Sequence, residues 1–435
     1  MQKLKWFDLV ALGFMTFALF LGAGNIIFPP LVGQLAGEHF WPATIGFLLT
    51  GVGLPLLTIV VLAHAGGGLE VMTAPVGRVA GTIFGIMVYL AIGPFFASPR
   101  TATVSFEIGF ARYFGDGPTP LAVYSVAYFA LVIFIALFPG RLIENIGKCI
   151  TPVLLVALAL LGGAAWLFPA GSFGASSGLY REVPLAQGFL QGYQTMDALA
   201  ALVFGIVVLN AIKDRRVTDR RLQTQYTTWA AIIAATGLAL VYVSLTYLGG
   251  TSGMLAPNAK TGVPLLAAYT LHAFGPAGGV LLTVVITLAC LTTAVGLMAA
   301  CGEFFSPLLR LSYRTVVIGF SLFSMVVANL GLAQLIAVSI PVLVGMYPVS
   351  ITLVLLNLVS RLWTQKSRVF VPTLAVAAVL GMLDGLTAAK LDGLVPDFYE
   401  ALPGAAYGLG WLVPVLVVAV VCGSAVWLHE RRQTA

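Results

Sequence analysis

Four stretches of this apolar chain hold residues whose types and spacing could do chemistry. Gly22-Ala23-Gly24-Asn25 interrupts a long hydrophobic run, and Ile26 and Pro29-Pro30 follow. A second stretch, Ala91 to Thr103, contains Pro94, Phe95, Phe96, Pro99 and Arg100. Glu107 lies two helical turns beyond Arg100 on nearly the same face. In Gly192-Tyr193-Gln194-Thr195-Met196-Asp197, a carboxylate and two hydroxyls fall within about one and a half helical turns. Thr292-Thr293 places consecutive hydroxyls in the middle of another hydrophobic run. The chemistry these groups offer is charge recognition. A helix that unwinds at depth frees carbonyls that suit a sodium ion and amides that suit a carboxylate, the two needs of an amino acid zwitterion travelling with a cation.

Each stretch also has a plainer reading. Glycine and alanine at Gly22 to Gly24 suit close helix packing. An arginine within a membrane span costs roughly 3 kcal/mol on insertion scales, so Arg100 needs a partner, with Glu107 and Asp197 the candidates. Alternatively its side chain snorkels to the outer interface. Asp197 is either an intramembrane acid, and then functional by default, or the cap of a helix that begins after an outer loop. Phe95 and Phe96 pack against lipid or core, or touch a substrate. Thr292 and Thr293 face a cavity or bond back to the preceding turn. Asp384 and Glu303 lie nearer the ends of hydrophobic runs, where solvation is expected.

The elements that position these residues follow from composition. The 435 residues are 60% hydrophobic and 9% charged, a balance that excludes a soluble fold. Runs of about 20 apolar residues recur too long and too uniformly for a β-barrel, and lipid leaves helices as the remaining way to satisfy the backbone. Twelve spans are expected, at 7–32, 40–64, 79–111, 119–139, 149–169, 187–212, 224–249, 276–304, 314–331, 334–360, 369–387 and 409–428. With both termini cytoplasmic, 17 of the 22 Lys and Arg fall inside, including Lys3, Arg141, Lys148, Arg432 and the run from Lys213 to Arg221. Arg112, Arg181, Lys260 and Lys390 fall outside, and Arg100 lies within a span. That asymmetry supports the count.

The breaks in spans 1 and 6 are five helices apart, so a second half of the same hand would enter from the opposite face. Residues 7–169 and 187–360 would then be inverted repeats, with 369–428 as two added helices in one domain of residues 1–435. The net charge of +6 is dispersed between apolar runs, which gives no nucleic-acid footprint. Cys149, Cys290, Cys301 and Cys422 have no metal or disulfide spacing, and His39, His64, His272 and His429 are far apart. Gly174-Ala175-Ser176-Ser177-Gly178 matches a nucleophile elbow by letter only, since no strand precedes it. No organic cofactor and no enzymatic activity are expected.

The stretches GFMTFALFLGAGNIIFPP (Gly13 to Pro30) and GPFFASPRTATVSFE (Gly93 to Glu107) resemble the bacterial branched-chain amino acid carrier family, and the resemblance spans nearly the whole chain. It implies the amino acid-polyamine-cation superfamily and the leucine-transporter-like fold, all-α and membrane-integral, of five plus five inverted helices with two more. It implies leucine, isoleucine and valine as substrates, sodium or protons as the coupling ion, and the bacterial inner membrane with its lipid as the setting. By the same resemblance Ala23 with Thr292 and Thr293 would hold Na+. The substrate would lie between the two breaks, near Gly22 to Ile26, Tyr193, Thr195 and Asp197, with Phe95 or Phe96 beside its side chain. A channel would need a continuous polar lining and an enzyme a paired nucleophile and base. A carrier of another amino acid class is the remaining rival.

Overall fold

The computed structural model describes residues 4–137 and 142–434, the side chains of 142–151 and 432–434 excepted. Lys3 and Arg141, two cations assigned to the inside, lie outside the described residues, as do the side chains of Lys148, Cys149 and Arg432. Among the described residues there is no strand. The first half runs α1 (Trp6–Phe20), α2 (Ala23–Ala36), α3 (Phe40–Leu48), α4 (Leu54–Ala65), α5 (Arg78–Leu90), α6 (Ala97–Gly109), α7 (Pro118–Ala136) and α8 (Leu142–Leu167). Next come α9 (Pro184–Gly192), α10 (Asp197–Lys213), α11 (Arg220–Thr251), α12 (Gly262–Leu309), α13 (Tyr313–Ala328), α14 (Leu332–Leu358), α15 (Ser367–Ala388) and α16 (Leu412–Thr434). Short single turns link several of these.

Among the described residues, eight helical stretches are long and apolar enough to cross a membrane, and nine if the bent pair α9 and α10 counts as one. The chain is a multi-pass membrane protein. Most of the expected hydrophobic runs fall on helices with ends displaced by a few residues, because hydrophobicity marks the buried-in-lipid length while capping marks the end. The runs at 149–169 and 314–331 fall on shorter apolar helices, and those at 7–32 and 40–64 meet in one continuous stretch from Ala23 to Ala65. Within the basic run, for example, the Asp219 carboxylate accepts from the backbone N–H groups of Arg221 at 2.7 Å and Leu222 at 3.2 Å and so starts α11.

Irregular backbone interrupts the helices at several points. The wide turns Leu49–Gly53 and Ala91–Phe95 are π-helical, and the second contains Pro94 and a non-helical Gly93. Such turns shift the register of whatever follows. α12 is bent at Gly275, whose φ of 63° and ψ of −161° require glycine, immediately before Pro276. Residues 262–274 therefore form a separate short helix ahead of the span expected at 276–304.

Packing around the two breaks is close enough to bring backbones together. A Cβ at Gly249 of α11 would collide with the backbone of Pro30 in α2, and one at Gly33 would collide with the Thr246 carbonyl. Gly249→Ala is expected to cost about 1–3 kcal/mol through overpacking, read as a lower thermal midpoint of the purified protein in detergent. Gly163→Ala, in a helical position with nothing within 4 Å of the new methyl, serves as the neutral comparison. Equal midpoints for the two variants would show that α2 and α11 do not need their contact.

Candidate functional site

The first break is Leu21 and Gly22, both extended, between α1 and α2. It lies earlier than the expected Gly22 to Asn25 segment, because Ala23, Gly24 and Asn25 form the first turn of α2. The reason is the Asn25 side chain, whose Oδ1 accepts the Gly22 N–H at 2.9 Å and so caps the new helix. Further along, Pro29 and Pro30 lack the N–H groups that would bond the carbonyls of Asn25 and Ile26.

The second break is at Met196. Its φ of 63° and ψ of 9° are left-handed, and the helices on its two sides diverge by 46°. A non-glycine residue there costs of order 1–3 kcal/mol, which the surroundings must offset. Asp197 follows directly and is only 2% exposed, so it is neither an outer-loop residue nor a solvated cap. Its Oδ2 accepts from Asn25 Nδ2 at 2.7 Å and from the Tyr242 hydroxyl at 2.6 Å, and Asn25 Nδ2 also donates to that hydroxyl. One carboxylate thus holds α2, α10 and α11 together. Around it Thr195 donates its hydroxyl to the Gly192 carbonyl at 2.9 Å, and Gly24 approaches the Thr195 backbone closely.

Arg100 is also 2% exposed and does not snorkel. Neither Glu107 nor Asp197, the acids expected opposite it, forms an ion pair with it among the described residues. Its Nη1 donates to the Gln194 carbonyl in the second break at 2.7 Å, its Nη2 donates to Ser339 Oγ at 2.8 Å, and its guanidinium lies 5.3 Å from the Phe28 ring centre. The Nε–H has no acceptor.

Thr293 borders the first break. Its hydroxyl lies 3.0 Å from the Ala289 carbonyl and 3.4 Å from the Leu21 carbonyl. The longer separation is poor for an O–H···O bond. With the proton given to Ala289, the Thr293 oxygen and the Leu21 carbonyl stand side by side with lone pairs to offer, a donor set that suits a hard cation. Thr292 instead bonds to the Ala289 carbonyl of its own helix at 2.9 Å.

These groups surround a cavity of about 40 Å³ whose wall includes Gly22 to Asn25, Arg100, Thr195, Asp197 and Thr293, completed by apolar side chains such as Phe20, Ile92, Phe204 and Leu297. Of the residues singled out from sequence, Ile26, Phe95, Phe96, Tyr193 and Thr292 do not line it. Phe95 is 38% exposed and packs on Phe96 and Phe323, the packing alternative left open above. Tyr193 is fully buried and stacks on Tyr347 with ring centres 4.0 Å apart. A larger cavity of about 500 Å³ between α14 and α16 is lined almost wholly by apolar side chains and shares no residue with this site.

Sequence reasoning does not single out Tyr242 or Ser339, and it names Gln194 only as part of the second break, without the role of its carbonyl. Tyr242 and Ser339 are each one polar residue among many in their spans, and no local spacing marks them. Asp384, expected to be solvated, is instead 3% exposed, because the Tyr399 hydroxyl folds over it and donates to its Oδ1. Tyr242→Phe should destabilise the purified protein by about 1–3 kcal/mol, the cost of leaving a buried carboxylate one donor short. An unchanged thermal midpoint would show that Asp197 does not depend on that hydroxyl.

Comparison with known proteins gives a consistent picture. The family model described as branched-chain amino acid transport protein matches residues 5–428. The branched-chain amino acid transport system 2 carrier protein of Pseudomonas aeruginosa is 63% identical over 425 residues, covering 97% of each chain. The branched-chain amino acid permease BrnQ of Escherichia coli K12 is 49% identical over 420 residues, covering 97% of this chain and 96% of that one. Among solved structures, Mhp1, a nucleobase-cation-symport-1 family transporter in a closed conformation with bromovinylhydantoin bound, superposes with a TM-score of 0.61 at 14% identity, covering 96% of this chain and 93% of that one. MhsT in complex with L-phenylalanine gives 0.55 at 16% identity, covering 94% and 97%. At such identities the likeness shows the fold alone, that of the leucine-transporter-like carriers. The family and its relatives are transport proteins and not enzymes, and with a whole-length family match and a relative at 63% identity, the chain belongs to the branched-chain amino acid transport protein family.

Proposed function

We propose that this protein is a secondary active symporter that carries leucine, isoleucine and valine with sodium or protons by alternating access. The reading includes twelve spans, an inverted repeat of five plus five helices with two added, and a bacterial cytoplasmic membrane in which both termini face the cytoplasm. The observation that carries it is the meeting of both helix breaks at one buried carboxylate, Asp197, on the wall of a small cavity. The names of the relatives supply the substrate class.

A cation is drawn to the Leu21 carbonyl and the Thr293 hydroxyl, fixing the first break against α12. Backbone amides at the start of α2 and the Asp197 carboxylate then face a zwitterion between the breaks, while Phe20, Ile92, Phe204 and Leu297 provide an apolar wall for its side chain. Because the two ligands share the first break, each should tighten binding of the other by the same factor. An apolar wall separates aliphatic side chains by only about 1–3 kcal/mol per methylene, so the three branched substrates should compete. The cavity of about 40 Å³ has room for only a few waters, too little for an amino acid. Substrate entry therefore requires the breaks to part, which is the opening half of an alternating cycle.

Purified protein in liposomes tests this directly. Imposed sodium or proton gradients should accelerate leucine uptake, isoleucine and valine should compete, and lysine should not. Uptake indifferent to both gradients would overturn symport. Thr293→Ala is expected to weaken the sodium dependence of leucine binding about tenfold, the scale of one lost charge-assisted contact. Undiminished dependence would remove the ion from the Leu21 and Thr293 pair.

A further inference from the structure

Two opposite charges stand on the wall of the same small cavity without touching each other. Arg100 and Asp197 are the charged residues among those lining it, both only 2% exposed, and no ion pair joins them. Burying an ion costs several kcal/mol unless it is neutralised and fully hydrogen-bonded. The two sites differ in how far that is achieved. Asp197 receives two side-chain donors on one oxygen. Arg100 has only neutral acceptors, the Gln194 carbonyl and the Ser339 hydroxyl, and its Nε–H has none. A permanent cation is therefore held at the second break with no counter-charge in contact and a donor to spare.

We propose that Arg100 is the anchor for the carboxylate of the transported amino acid, with Asp197 on the opposite charge facing its ammonium. This assignment rests on the symporter reading above and adds a specificity-determining residue to it. Several observations favour it over a purely structural cation. The guanidinium fork is suited to a carboxylate, which can accept two parallel N–H bonds. The bound charges would then alternate across the cavity, so that the zwitterion completes a neutral set and each buried ion gains a partner. The wide turn Ala91–Phe95, with Pro94 and the non-helical Gly93, lies directly before α6 and sets the register that turns Arg100 inward. Phe28, over which the guanidinium lies, belongs to α2, so Arg100 bridges the two broken helices. A ligand at Arg100 is thus sensed by both breaks. The α-carboxylate becomes a requirement for transport, whereas side-chain identity is judged separately by the apolar wall.

The experiment compares leucine with leucinol, which keeps the ammonium and the side chain but replaces the carboxylate by a neutral alcohol. In detergent-purified protein, leucine should bind at least about tenfold more tightly than leucinol, as expected for loss of a charged hydrogen-bonding partner. Arg100→Lys keeps the charge but loses the planar fork, and should weaken leucine about tenfold or more while leaving leucinol within about twofold. Ser339→Ala removes only the neutral support of the guanidinium and serves if Arg100→Lys does not fold. It should narrow the same ratio. Equal affinities for the two ligands in the unaltered protein, or an unchanged ratio in both variants, would overturn the assignment. Gradient-driven leucine uptake by the unaltered protein tests the symporter reading independently, and it can stand while Arg100 loses this role.

Discussion

The structure depends on one buried carboxylate that has to be satisfied. Asp197 sits immediately after a left-handed residue in a broken helix, buried from bulk solvent. Its donors come from elsewhere in the chain, Asn25 at the start of α2 and Tyr242 in the second half of α11. Removing either would leave an under-solvated ion, so three helices are drawn to a common point and held in register. The strain at Met196 and the break at Leu21 and Gly22 persist because the surrounding contacts fix both chains. Asn25 contributes twice, capping its own helix through Oδ1 while its amide nitrogen reaches the carboxylate. The same side chain therefore sets where the first break ends and where it meets the second.

Around this point the packing is made of small residues rather than large ones. Gly33 and Gly249 let α2 and α11 approach backbone to backbone, and in lipid such close approach is what binds helices, since apolar surface gains little by leaving hydrocarbon. Farther out, apolar side chains such as Val123, Leu240 and Val420 remain exposed on the helices, the surface expected to meet acyl chains. Polar groups are sparse and concentrated inside. That division lets the interior keep irregular backbone at depth, because the freed carbonyl of Gln194 is answered by Arg100 and not left to lipid.

The positions of most helices and of the two breaks that meet at the site are legible in the sequence, for local reasons, whereas the wide turn at Leu49–Gly53 and the bend at Gly275 are not. Long apolar runs imply spans, and glycine, asparagine and clustered polar residues weaken a helix wherever it lies. Partners were less legible. Asn25 and Asp197 are 172 residues apart, and Arg100 and Ser339 are 239 apart, so which polar residue answers which is decided by tertiary packing that periodicity does not encode. Arg100 stands out in the sequence as a cation inside an apolar run, but a carbonyl and a hydroxyl, not an acid, stand opposite it. The first break lies earlier than the glycines alone imply because the Asn25 side chain caps α2 and draws Ala23 and Gly24 into its first turn. The helix of residues 262–274 went unseen because it is too short to register as a span and its boundary depends on one glycine torsion.

That short helix has a mechanical consequence. Gly262 lies so near the Ile27 carbonyl of α2 that a methyl group could not be inserted, while at its other end the segment is hinged at Gly275 and Pro276. Its first residue packs backbone to backbone on the broken helix, so a displacement of the first turns of α2 would meet this segment before any other contact of the 262–274 helix.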